Sequence, residues 1–219
     1  MPSTTVESEF DRQVEVLTTL GYPALTGLTP AQFAAELEPL RETVRTHPES
    51  TDDHGEDHIP FVLVVARTAK GASLDAHEAM SRTAFGAKPG FSVLAPAELS
   101  QFRPVESVEI PDGIAYALMN IDTGSEFLNV TPAAALESLT AMERTPLTVE
   151  EGIALLTVRP DMLRKNKCFS LLASRCGDKR VPALWISERR PKLGWCWNGN
   201  PHTWLGSASA SARLSLVRG

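Results

Sequence analysis

Between residues 9 and 20 the apolar side chains Phe10, Val14, Leu17 and Leu20 recur at helical spacing, and Gly21-Tyr22-Pro23 breaks the run. The pattern predicts a short amphipathic helix. A second is predicted from Thr29, where Thr29-Pro30-Ala31-Gln32 supplies a capping hydroxyl, a proline at the first helical position and a glutamine at the third. Phe33, Leu37, Leu40 and Val44 form its apolar stripe, so the two helices make an antiparallel hairpin. Residues 46–58 (THPESTDDHGEDH) then lose all periodicity and read as a solvated acidic loop.

Residues 59–66 (IPFVLVVA) form an unbroken β-rich run, the pattern of a buried central strand. Helices are predicted over 74–82 and 96–102, with a turn at 86–90 between them. Ile110-Pro111-Asp112-Gly113 turns into a strand over 114–121, and Asp122-Thr123-Gly124 predicts a hairpin into another near 127–130. Thr131-Pro132 caps a helix with Leu136, Leu139 and Met142 on one face. Thr148-Val149-Glu150-Glu151 is a capping box for the next, apolar at Val149, Ile153 and Leu156.

Four β-compatible runs follow, at 168–175, 181–187, 192–197 and 201–205, separated by Gly177-Asp178-Lys179-Arg180, Glu188-Arg189-Arg190-Pro191 and Asn198-Gly199. Four-residue loops at the first two turns place Phe169, Leu171, Ala173, Leu184, Ile186, Leu193, Trp195 and Trp197 on a core face. The other face carries Cys168, Ser170, Ser174, Ala183, Trp185, Gly194 and Cys196, with Trp185 opposite Gly194. The expected class is α+β: an N-terminal helical hairpin over 1–50, one α+β domain over 59–206 whose mixed central part leads into a C-terminal antiparallel β-meander, and a tail over 207–219 that is either disordered or orders as a strand on a partner.

Length and composition add compartment and charge. A chain of 219 residues with 42% apolar side chains can bury a substantial core. Its start has no basic segment leading into an apolar run, and no stretch has the length of a membrane span, so the expectation is a cytoplasmic protein with no membrane partner. Three cysteines, an odd number, argue for reduced thiols. The net charge of −6 conceals a split: residues 1–158 hold 9 Lys and Arg against 24 Asp and Glu (net −15), and 159–219 hold 12 against 3 (net +9). Such a split marks either an anion-binding surface or two parts that neutralise each other on packing.

Candidate chemistry concentrates in residues 165–206, which contain all four tryptophans and all three cysteines. The chain lacks a P-loop, a GxGxxG, a GxSxG and any close cysteine pair, which removes the common nucleotide-hydrolysing, dinucleotide-binding and α/β-hydrolase readings. Arg175, Asp178, Lys179, Arg180, Trp185, Asn198, Asn200 and His202 are the candidate ligand-binding set, because cations and indoles together suit an anionic small molecule, a nucleotide or single-stranded nucleic acid. An alternative is an enzyme using Cys196 or Cys176 with His202, as nucleophile and base or as a zinc site of Cys176, Cys196 and His202. Cys168 cannot join that set from a straight strand, since eight residues span about 26 Å at roughly 3.3 Å each.

The dyad depends on register. A two-residue Asn198-Gly199 turn, the stronger signal, puts Cys196 and His202 on opposite faces; a three-residue loop through Asn200 pairs them. In the acidic loop, His47, His54 and His58 among Asp52, Asp53, Glu56 and Asp57 could hold a divalent ion, though a floppy loop favours weak adventitious binding. A protein–protein interaction module is the third functional class.

Residues 166–169 (NKCF), 174–187 (SRCGDKRVPALWIS) and 193–206 (LGWCWNGNPHTWLG), with Gly21-Tyr22-Pro23, 60–65 (PFVLVV) and 146–155 (PLTVEEGIAL), resemble the blocks of a family of uncharacterised actinobacterial proteins. The resemblance runs through nearly the whole chain and implies no activity, so it transfers no catalytic role.

Overall fold

The computed structural model describes residues 5–51 and 55–215, with backbone only at 50 and 51. Its helices are α1 (Val6–Thr19), α2 (Tyr22–Thr26), α3 (Pro30–Thr46), α4 (Ala76–Arg82), α5 (Pro96–Leu99), α6 (Pro132–Ala141) and α7 (Val149–Val158). The strands are β1 (His58–Val65), β2 (Ala84–Phe85), β3 (Lys88–Pro89), β4 (Phe91–Ser92), β5 (Arg103–Pro104), β6 (Ala115–Asp122), β7 (Thr145–Pro146), β8 (Cys168–Ser170), β9 (Ser174–Arg175), β10 (Arg180–Ser187), β11 (Arg190–Trp197), β12 (Leu205–Ser207), β13 (Ser209–Ala210) and β14 (Ala212–Leu214). The class is α+β, with helices at the N-terminus and strands at the C-terminus.

Local signals place the helices well. Both capping boxes form: Thr29 caps α3 with Gln32 returning the bond, and Thr148 caps α7 with Glu151 doing the same. The stripe of α3 is the expected one, with Phe33, Leu37, Leu40 and Val44 all fully buried. Each such side chain contributes roughly 1.5–3 kcal/mol relative to exposure. The N-terminal helices are not set apart, because Phe10, Leu17 and the α3 stripe belong to the same apolar cluster as β1, β6 and α7. On α6 the expected face is only partly right: Leu139 is buried, Leu136 is half-buried and Met142 is exposed.

Two five-stranded sheets carry the fold. In the first, β6 pairs antiparallel with β1 on one side and with β13 and β14 on the other, and β13 continues to β7. The second has the order β12-β8-β10-β11-β4. Helix α7 packs against β1 of the first sheet and β10 of the second, which explains why it is buried all round. Gly152 permits the second contact: a Cβ there would lie 2.4 Å from Leu171 Cδ2 and 3.0 Å from Leu184 Cδ1.

Several expectations are overturned. The hairpin after β6 does not form; Ser125–Phe127 is a 3-10 turn, and the place beside β6 is taken by β13 and β14. Those strands come from the stretch expected as a tail. Residues 206–210 are buried throughout, their small side chains fitting where the chain passes from one sheet to the other. The turn at Glu188-Arg189-Arg190-Pro191 is a two-residue one: Glu188 and Arg189 have φ of 54° and 59°, and Ser187 pairs with Arg190. The pairing register thus shifts by two residues, which preserves the faces but places Lys192, not Gly194, opposite Trp185.

The meander also fails at its last strand. The edge beside β11 is held by β4, which pairs parallel with it, so the fourth strand crosses the sheet and pairs parallel with β8. Asn198-Gly199 therefore closes no hairpin. The backbone N–H of Asn198 donates to Lys179 O at 2.8 Å, and its carbonyl accepts from Ala133 at 3.1 Å. The expected core face is core at Phe169, Leu171, Ala173, Leu184 and Leu193; further along it, Ile186 and Trp195 are half-buried and Trp197 is 46% exposed.

Candidate functional site

The expected ligand-binding residues divide into two groups. At the turn before β10, Asp178 accepts from the Arg180 backbone N–H at 2.8 Å and from its Nε at 2.9 Å, and Arg180 also pairs with Glu98 on α5. The Arg180 guanidinium stands 5.6 Å from the Phe102 ring centre and 5.8 Å from that of Trp195. Arg175 donates to the carbonyls of Leu172 and Ser174 at 2.7 and 3.0 Å and reaches Asn198 Oδ1 at 3.5 Å. Burial holds Arg175 below the usual arginine range. These cations are committed to the protein. Lys179 is exposed on the same turn.

The second group gathers on the small polar face. Trp185, Cys196, Asn200 and His202 line a groove of about 310 Å³ together with Trp204. The Trp185 ring lies over Gly194, where a Cβ would be 2.3 Å from its Cη2. Trp185 and Trp204 meet edge to face at 6.2 Å, and the His202 ring tilts against Trp204 at 5.3 Å. Across this tryptophan pair lies a second groove, of about 460 Å³, lined by Lys165, Asn166, Cys168, Ile186, Glu188 and Arg189 with both indoles. The turn that brings Arg189 here is the two-residue one that the sequence pattern missed.

The thiols are poorly placed for nucleophilic chemistry. Cys196 Sγ contacts Ser170 Oγ at 3.7 Å, and among the described residues no hydrogen bond joins it to His202. Burial pushes the Cys168 and Cys196 thiols up. Cys176 is raised by burial and by its S–H donation to Asp178 at 3.2 Å. A depressed pKa is what a reactive thiol needs. We expect iodoacetamide at neutral pH to label native protein slowly and at Cys176 first, the half-buried one of the three; peptide mass spectrometry showing rapid Cys196 labelling would reverse this. Among the described residues no three His, Cys, Asp or Glu side chains form a metal-sized group, Cys176, Cys196 and His202 included. Of the acidic-loop candidates, His54, Asp52 and Asp53 lie outside the described residues, while Glu56 and Asp57 pair with Arg164, and Asp57 with Lys167 at 3.1 Å. With Arg180–Glu98 and Arg213–Glu151, these pairs join the acidic part of the chain to its basic part.

A further cleft, of about 450 Å³, went unread in the sequence. The α7 capping box places Glu150 in its wall, and the signal was present only as a cap. Leu17, Tyr22, Val65, Leu74, Ile153 and Ala154 surround the same side chain from behind. Burial raises the Glu150 carboxyl above the ordinary range; its own backbone N–H and Thr148 favour the charged form, Glu151 opposes it, and Arg103 favours it weakly. A carboxyl raised in the folded state costs no stability below its unfolded pKa, and the cost grows as pH rises towards the folded value. Glu150→Gln is therefore expected to stabilise the protein at neutral pH and to lose that advantage in acid, as urea unfolding at two pH values would show.

The arrangement defines an α+β protein with an indole-walled, lysine- and arginine-flanked groove on one sheet and no helix, among the described residues, long and apolar enough to cross a membrane. Residues 16–216 match a family of unknown function, DUF5701, and the chain belongs to that family. No curated protein and no solved structure matches it.

Proposed function

We propose that this protein binds a small, flat anionic molecule in the groove between Lys165, Arg189 and the Trp185–Trp204 pair. The observation that carries the reading is the placement of two cations, neither ion-paired among the described residues, beside two indole edges in one groove. Indole surface holds a planar ring by stacking, and the cations supply contacts to phosphate or carboxylate. A nucleotide fits this chemistry better than a long nucleic acid, because Arg164, Lys167 and Arg180, which would extend a basic track, are held in ion pairs.

The test is tryptophan fluorescence during titration with adenosine monophosphate at low and high salt. Quenching that weakens with salt, and about tenfold weaker binding in Lys165→Ala/Arg189→Ala, is the expected result. Absence of quenching at millimolar nucleotide, or equal affinity in the double variant, would overturn it. Gly194→Ala offers an independent check: its methyl displaces the Trp185 ring and should weaken binding without altering either cation.

A further inference from the structure

The Glu150 cleft shares no lining residue with the tryptophan grooves. Its walls are apolar at Ala66, Leu74, Leu99, Phe102 and Ile110, which come from the end of β1, the loop before α4, the α5 segment and the approach to β6. Such a concave, mostly apolar space with a few fixed polar groups is the usual form of a small-molecule site. The polar groups are unequal. Asp75 is occupied as the N-cap of α4, accepting from the backbone N–H of His77 at 2.8 Å and of Glu78 at 3.2 Å. Arg67 spends its Nη1 on the carbonyls of Pro111 and Gly113, at 2.6 and 3.2 Å. Arg103 is exposed.

Glu150 is different. Among the described residues it has no salt bridge, whereas its neighbour Glu151 is paired with Arg213. Glu150 lines both the cleft and the small apolar pocket formed by Leu17, Tyr22, Val65, Leu74, Ile153 and Ala154. A largely desolvated carboxylate offset only weakly, by the exposed Arg103, is costly, and a cation delivered from the cleft would reduce that cost.

We propose that this cleft is a second ligand site, taking a small molecule with an apolar body and a protonated nitrogen, the nitrogen bonded to Glu150. The apolar body lies against Leu99, Phe102 and Ile110 while the ammonium donates to the carboxylate. Selection is then by charge: an amine is accepted, and the carboxylic acid of the same shape is repelled.

Ligand-observed NMR titration with benzylamine, benzyl alcohol and benzoate, on the full chain, tests this. Benzylamine should bind more tightly than the alcohol, with benzoate weakest. Glu150→Gln should weaken benzylamine about tenfold, the effect of losing one charge-assisted hydrogen bond, and leave benzyl alcohol unchanged. Ser100→Trp, at an exposed position of the lining, should block all three without touching the carboxyl, and Lys165→Ala/Arg189→Ala should change none of them. Benzylamine binding that is absent, no tighter than that of the alcohol, or equal in Glu150→Gln would overturn the proposal, and so would undiminished binding in Ser100→Trp.

Discussion

Arg213→Ala is expected to remove about 3–5 kcal/mol of folding stability, the range for breaking one partner out of a buried ion pair. Arg213 is 6% exposed at its side chain and Glu151 is fully buried. The guanidinium donates to both oxygens of Glu151, to Thr145 Oγ1 and to Pro146 O. Glu151 also accepts from Tyr116 Oη at 2.7 Å and from the Thr148 backbone N–H at 2.8 Å. Without the arginine, a carboxylate stays in the interior with two neutral donors. The same side chain fastens β14 to α7 and β7, so its loss also releases the last strand. Since a domain's whole stability is about 5–15 kcal/mol, the variant should be largely unfolded at modest urea. Arg213→Met combined with Glu151→Gln should recover part of the loss, because no unpaired charge remains. A loss below about 1 kcal/mol for Arg213→Ala, the value of an exposed pair, would mean that water reaches this site.

Gly124→Ala should be nearly as damaging, for a steric reason. Gly124 has a φ of +73°, and a Cβ on it would stand 2.0 Å from Ser207 O; a Cβ on Gly206 would stand 2.2 Å from Gly124 O. Two backbone segments, the turn after β6 and strand β12, touch here without side chains between them. The left-handed conformation costs alanine about 1–2 kcal/mol and the overpacking about 1–3 kcal/mol more. Gly206→Ala carries only the second cost. Gly177 isolates the first: its φ is +86° and nothing lies within 4 Å of its Cβ position. In thermal unfolding, each kcal/mol lowers Tm by about 2–4 °C for a chain of this size. Gly124→Ala should therefore lose clearly more than Gly177→Ala, and equal losses would show that the two backbones can part at little cost.

Both effects arise where the C-terminal strands meet the rest of the fold, and that is where sequence reading stopped working. Capping, periodicity and β-rich composition act within a few residues, so α1, α3, α7, β1, β6, β10 and β11 were all legible, with the burial of Phe33, Leu37, Leu40 and Val44 and the two faces of the β10–β11 pair. Trp185, Asn200 and His202, singled out together in the sequence, do line one groove. Thr148-Val149-Glu150-Glu151 announced a helix start, but nothing local distinguished Glu151, sealed by Arg213, from Glu150, aimed at a cleft.

What only the tertiary structure decided depends on partners distant in the chain. Residues 206–210 are too small and polar to read as core, yet they are buried because the passage between two sheets admits nothing larger. The fourth strand of the expected meander joins β8 because β4, some hundred residues earlier in the chain, already occupies the edge beside β11. The groove beside Trp185 acquires Lys165 from the segment before β8 and Arg189 from the β10–β11 turn, which antiparallel pairing brings to the same end of the sheet. The sequence by itself determined the class, the main helices and the β10–β11 pair. Strand order, the buried passage and the two clefts followed from which surfaces were left to cover, a competition among distant segments that no local pattern records.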